Sequence, residues 1–136
     1  MSSLPIFDVA GSALAAQSVR INTIASNLAN ADSVGSTPEG AYRPLQPTFE
    51  SVPLRGDASG LSAVTVSRVG PQDTPPLRRY EPGHPMANAE GYVYAPDIDP
   101  VAQMVNLISA SRGYQANVEV INAARELALA TLMIGR

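Results

Sequence analysis

Cysteine is absent from the 136 residues, which excludes a disulfide framework and any thiolate-ligated metal site. It leaves the compartment open, because a cysteine-free chain persists in either redox setting. Lysine is absent as well: all nine basic residues are arginines, scattered with no cluster that would mark a nucleic-acid surface. Charged residues make up only 15%, against about a quarter in an ordinary soluble domain. Few groups therefore remain to coat a solvated surface. No stretch of about 18 uninterrupted apolar residues occurs, so no membrane span is predicted. Met1–Asp8 has no basic start and carries an acid where an apolar run should begin, unlike a cleavable signal peptide.

The features of an active site are also missing. The single histidine, His84, stands between Gly83 and Pro85 with no converging partner marked in sequence, and reads as a turn residue. Asp97 and Asp99 lack the further spaced oxygen ligands of a calcium loop. There is no glycine-rich phosphate loop, nucleophile elbow or zinc-ligand cluster; Gly35, Gly40, Gly56, Gly60 and Gly70 are spaced as loop punctuation. Neither catalysis nor a cofactor or metal is expected. A small hydrolase using His84 and an aspartate is the competing enzymatic reading, and a coiled-coil adaptor or export chaperone is a second competitor.

What is present divides the chain into three segments, 1–31, 32–97 and 98–136. Eleven of twelve prolines lie between Pro38 and Pro100, the exception being Pro5. Pro5 suits a first helical turn, where its missing N–H costs little. From it a helix is predicted to about Leu28, with Phe7, Ala10, Leu14, Gln17, Ile21, Ile24 and Leu28 at alternating spacings of three and four. Its end falls in Ser26–Asn30, where asparagine tolerates the left-handed closing turn. A second helix is predicted from Pro100 to about Met133, capped by Asp99, and at 1.5 Å per residue it extends about 50 Å. In the middle, Ala63–Val69 reads as a strand, with weaker candidates at Thr48–Val52 and Tyr92–Tyr94. Pro75-Pro76 and Glu81–Pro85 read as stiff connectors. The expected fold is mainly α: two long terminal helices forming an antiparallel coiled coil, with a small Pro/Gly-rich, irregular and β-containing middle.

The second helix carries two apolar rows. One runs through Leu107, Ala110, Tyr114, Ile121, Ala124 and Ala128 with Asn117 interrupting it; the other through Val101, Met104, Val105, Ile108 and Val118. Between Pro100 and Gly135 the charges are Arg112, Glu119, Arg125 and Glu126, and between Pro5 and Asn30 only Asp8 and Arg20. A surface helix normally backs one apolar stripe with a charged face. Here the remaining surface is uncharged and small. Two readings stand: neighbours bury the surplus in an oligomer or polymer, or the helices' other faces pack on the middle segment.

Three segments carry a resemblance. Arg20-Ile21-Asn22-Thr23-Ile24-Ala25-Ser26-Asn27-Leu28-Ala29-Asn30-Ala31 is similar to the asparagine-rich motif of flagellar axial proteins. Thr37–Pro44 with Phe49-Glu50 resembles its continuation in the shorter members. Glu90–Val93, Met104–Val118, Asn122–Ala124 and Ile134-Gly135-Arg136 complete the match to the flagellar proximal rod proteins of FlgC type. Met86 and Asn88 stand where that family often has acids, and Gly113 where alanine is common. The resemblance implies a structural, non-enzymatic subunit of the basal-body proximal rod, exported by the flagellar type III system without signal cleavage and located in the periplasmic space. It also implies that the terminal helices assemble into a drive shaft that surrounds the export channel and transmits torque. Implied partners are the chain itself, other rod proteins, and the inner-membrane ring and export apparatus at the rod base. Leu14, Ile21, Ile24 and Leu28 are the expected intrachain helix seam, and Ile108, Ala110, Tyr114, Val118 and Ile121 are expected to meet that seam or a neighbour's helix. Asn27, Asn30, Arg112 and Asn117 match polar motif positions expected to fix register.

Overall fold

A computed structural model describes residues 5–54 and 60–134. Met1–Leu4, Gly56, Gly135 and Arg136, which entered the readings above, lie outside the described residues. The elements run α1 (Pro5–Ala29), β1 (Leu45–Pro53), β2 (Ser62–Pro71), β3 (Leu77–Tyr80), β4 (Tyr92–Ala95) and α2 (Pro100–Ile134). β1 pairs with β2, and β3 with β4, as two separate two-stranded sheets.

Both helix ends follow from local chemistry. At the start of α2 one Asp99 carboxylate oxygen accepts the N–H groups of Val101 (2.9 Å) and Ala102 (3.3 Å), while its carbonyl accepts that of Gln103 (3.0 Å). α1 ends without the left-handed asparagine expected of it: among the described residues only Gly60 and Gly91 have positive φ. The last turn tightens instead, with the Asn30 N–H shared between the Ser26 and Asn27 carbonyls at 3.2 Å each and the Ala31 N–H on Leu28 O at 3.2 Å. The Asn30 side chain then donates to Ser26 O (2.8 Å), satisfying a carbonyl the ending helix exposes.

The expectation of a mainly α chain built on an antiparallel coiled coil is overturned. Two helices of 25 and 35 residues share the fold with strands of 9, 10, 4 and 4 residues, so it is a mixture of helix and sheet. The prolines misled the reading of the middle. Pro47, Pro53 and Pro71 all lie in strands. A two-stranded sheet leaves each strand one free edge, where a missing N–H breaks no ladder bond. β3 went unread because Leu-Arg-Arg-Tyr after two prolines gives no apolar alternation; all four residues are exposed.

The described chain forms two compact units, and both helices contribute to each. The first comprises the described parts of Met1–Ile21, Thr48–Arg68 and Ile108–Arg136. Within it the Ser12 hydroxyl donates to Val9 O (2.7 Å) and accepts the Val64 N–H (3.1 Å), tying helix to ribbon. The ribbon is held by Leu54 N–H on Leu61 O (3.1 Å) and the Ser67 hydroxyl on Thr48 O (3.3 Å). The two helices meet at Gly113, where an added Cβ would lie 3.3 Å from Gln17 Nε2. Glycine at this position thus makes room for a side chain of the other helix.

The second unit comprises Asn22–Pro47 and Val69–Leu107. β3 and β4 are antiparallel, with Leu77 opposite Ala95 and Tyr80 opposite Tyr92. The Tyr80 and Tyr92 rings pack edge to face at 5.1 Å, and the Arg78 guanidinium sits 4.1 Å over the Tyr92 ring. Glu81 N–H to Gly91 O (2.9 Å) carries the ladder one step further. The loop beyond turns on Asn88, whose side-chain oxygen accepts the N–H groups of Glu90 (3.0 Å) and Tyr92 (2.9 Å). On its other side β4 meets Gly35, which exchanges two backbone bonds with Tyr94 at 2.8 and 2.9 Å. Gly35 is required: a Cβ there would fall 2.8 Å from Gly40 and Ala41 backbone atoms.

Candidate functional site

No group of three or more His, Cys, Asp or Glu side chains lies together to hold a metal among the described residues. His84 stays in its turn, its Nδ1 accepting the Met86 N–H at 3.0 Å. No described helix is long and apolar enough to cross a membrane. The surfaces with chemical character are those of the helices.

Asn27 sits on the last turns of α1 at 3% exposure, and its side chain acts as one rung of a β-ladder. Its Nδ2 donates to Leu45 O (2.8 Å) while its Oδ1 accepts the Leu45 N–H (2.8 Å). The Tyr42 hydroxyl also donates to Oδ1 (3.0 Å), and the Ser26 hydroxyl lies 3.1 Å from the Tyr42 oxygen. This closed network fastens the end of α1 to the start of β1. Buried polar groups demand such satisfaction, and only an amide offers donor and acceptor together in this geometry. The other polar motif residues behave differently. Asn30 caps its own helix, Asn117 donates to Gly113 O one turn back (2.8 Å), and Arg112 is exposed.

The apolar motif residues divide by face. Ala110 is fully enclosed and Ile24 is 6% exposed. Leu14, Ile21, Leu28, Val118 and Ile121 are half-buried, while Tyr114 and Ile108 are exposed. Of the two α2 rows, the one through Leu107, Ala110, Asn117, Ile121, Ala124 and Ala128 is buried or half-buried, with Tyr114 at its edge. In the other row Val101, Met104, Val105 and Ile108 are 50–69% exposed. In the first unit, an apolar groove of about 670 Å³ opens between Ile6 of α1 and Val120, Ala124, Leu127 and Leu132 of α2. Leu127, Leu129, Leu132 and Met133 are all more than half exposed.

Sequence reasoning did not identify Ser12, Gln17 or Tyr42 as contact residues. Tyr42 lies inside the Thr37–Pro44 motif, so its signal was present without an assigned role. Ser12 carried none beyond helical position, while Gln17 stood in the predicted seam row of α1 as its one polar member.

A family model described as "Flagella basal body rod protein" matches residues 7–36. A second, "Flagellar basal body rod FlgEFG protein C-terminal", matches residues 89–133. The flagellar basal-body rod protein FlgC of Salmonella typhimurium is 50% identical over 136 residues, spanning the whole of both chains. That of Escherichia coli O6:H1 is likewise 50% identical over the full length of both. The Bacillus subtilis protein of the same name is 35% identical over 150 aligned positions, again covering all of each chain.

Proposed function

The chain belongs to the FlgC family of flagellar basal-body rod proteins and is a structural rod component rather than an enzyme, and we propose that it assembles through α1 and α2 into the proximal part of the drive shaft. In this reading it leaves the cytoplasm by the flagellar type III route, and copies of it join other rod proteins in the periplasmic space, above the inner-membrane ring. The terminal helices surround the export channel, and the segments between them face outward.

The observation that carries this reading is the apolar surface of α2. Val101, Val105 and Ile108 near one end and Leu127, Leu132 and Met133 near the other are 56–80% exposed on a helix with only four charges. A monomer surface rarely leaves such clusters of large apolar side chains in water unless another surface covers them. Burial by neighbours supplies the hydrophobic gain of assembly. It also supplies stiffness, because close-packed side chains deform little and pass torque from copy to copy. Within this reading Leu14, Ile21, Ile24 and Leu28 fasten α1, and Ala110, Tyr114, Val118 and Ile121 fasten α2. Asn27 fixes the start of β1, and Ile108 and Arg112 face a neighbour.

Cryo-electron microscopy of purified basal bodies tests it. Density for this chain in the proximal rod with both helices lining the channel is the expected result. Intact rods without the chain, or a chain whose helices lie on the rod's outer surface, would refute the reading.

A further inference from the structure

α2 carries a row of exposed positions opposite its buried one. At alternating spacings of four and three it runs from Ile108 through Arg112, Glu119 and Glu126 to Leu129 and Met133, and every member is exposed. The row lies within the first unit. Its centre is charged and its ends are apolar. The described residues form two ion pairs, Arg43–Asp73 and Arg79–Glu81, so Arg112, Glu119 and Glu126 have no ion-pair partner among them.

We propose that this row is the docking face for α2 of a second copy, shifted by fourteen residues so that Arg112 of one copy meets Glu126 of the next. This rests on the rod-subunit reading above. Among parallel alignments of the two helices, the charge pattern selects the shift. Parallel helices in register would set Arg112 on Arg112 and each glutamate on itself, which electrostatic complementarity forbids. A seven-residue shift pairs Arg112 with Glu119 but opposes Glu119 to Glu126. A fourteen-residue shift, about 21 Å along the axis, pairs Arg112 with Glu126, sets Ile108 against Asn122 and Glu119 against Met133, and brings no like charges together. Such a contact uses different stretches of one helix face on the two copies, so it is heterologous. An exposed ion pair adds little affinity but sets register.

The absence of cysteine makes the test direct. Basal bodies are purified from cells carrying the Ile108→Cys/Asn122→Cys double variant, oxidised, and separated under non-reducing conditions. The expected result is cross-linked dimers from the double variant and none from either single variant. Adding Arg112→Glu should lower the cross-linked fraction by about two- to fivefold, and adding Glu126→Arg to that background should restore it. Basal bodies that contain the chain but give no cross-link, or that give as much from Ile108→Cys alone, overturn the proposed register and leave the rod reading standing. Basal bodies assembled without the chain overturn both.

Discussion

Asn27 is the residue on which the most chemistry converges. Its carboxamide satisfies both backbone groups of Leu45 and takes the Tyr42 proton as well. Truncation to alanine strands the N–H and carbonyl of half-buried Leu45 and the Tyr42 hydroxyl, and stranding such groups costs about 1–3 kcal/mol. Asn27→Ala should therefore lower unfolding free energy by about that amount in a urea titration. Tyrosine emission is a suitable probe, because tryptophan is absent and Tyr42, Tyr80, Tyr92 and Tyr94 all lie in the unit Asn27 anchors. Asn27→Asp should recover little, since it keeps the acceptor but loses the donor to Leu45 O and buries a charge. The sequence made Asn27 conspicuous as a motif position without disclosing its role. The reason is physical: helix termination and a long-range backbone clamp both call for a short amide, and only the approach of Leu45 distinguishes them.

At the scale of elements, the helices and the strands β1, β2 and β4 were legible, whereas β3 and the pairing of the strands were not. Apolar spacing, Pro5 and the Asp99-Pro100 pair define α1 and α2 because their signals are local. β3 depends on Tyr80 meeting Tyr92 and on Arg78 covering that ring, contacts made across a loop that no window along the chain encompasses. Gly113 is a further case of an element answering to its neighbour. Within a helix, glycine is about 1 kcal/mol worse than alanine, but an added Cβ would press on Gln17 at 3.3 Å, and Gln17 Oε1 is already buried without a hydrogen-bond partner. Gly113→Ala should accordingly gain well under 1 kcal/mol in the native background. With Gln17→Ala present, the same substitution should gain close to the full propensity difference. A thermodynamic cycle from four urea titrations measures the coupling. Equal gains in both backgrounds would show that the Gln17 side chain swings aside at no cost.

For the whole molecule the decisive ratio is between what is enclosed and what is left in water. Six of the eight buried hydrophobic residues are alanines, and Val93 is the only large side chain fully buried among the described residues. An alanine methyl removes little apolar area from water, so this interior yields far less than one of leucine and isoleucine. Meanwhile Leu127, Leu132 and Met133 are 70–80% exposed. Ordering the last turns of α2 costs conformational entropy that their own contacts barely offset. Stability should thus be uneven along the chain. In a dilute monomer, amide exchange is expected to be slow at Val93 and Tyr94, where ladder bonds to β3 and Gly35 flank a buried side chain. It should be faster by orders of magnitude from Leu127 to Met133. In assembled rods the same turns should become protected, because a neighbour then covers the leucines. Equal protection in the monomer would mean that the apolar surface is not what orders α2, and the case for assembly through that helix would lose its energetic basis.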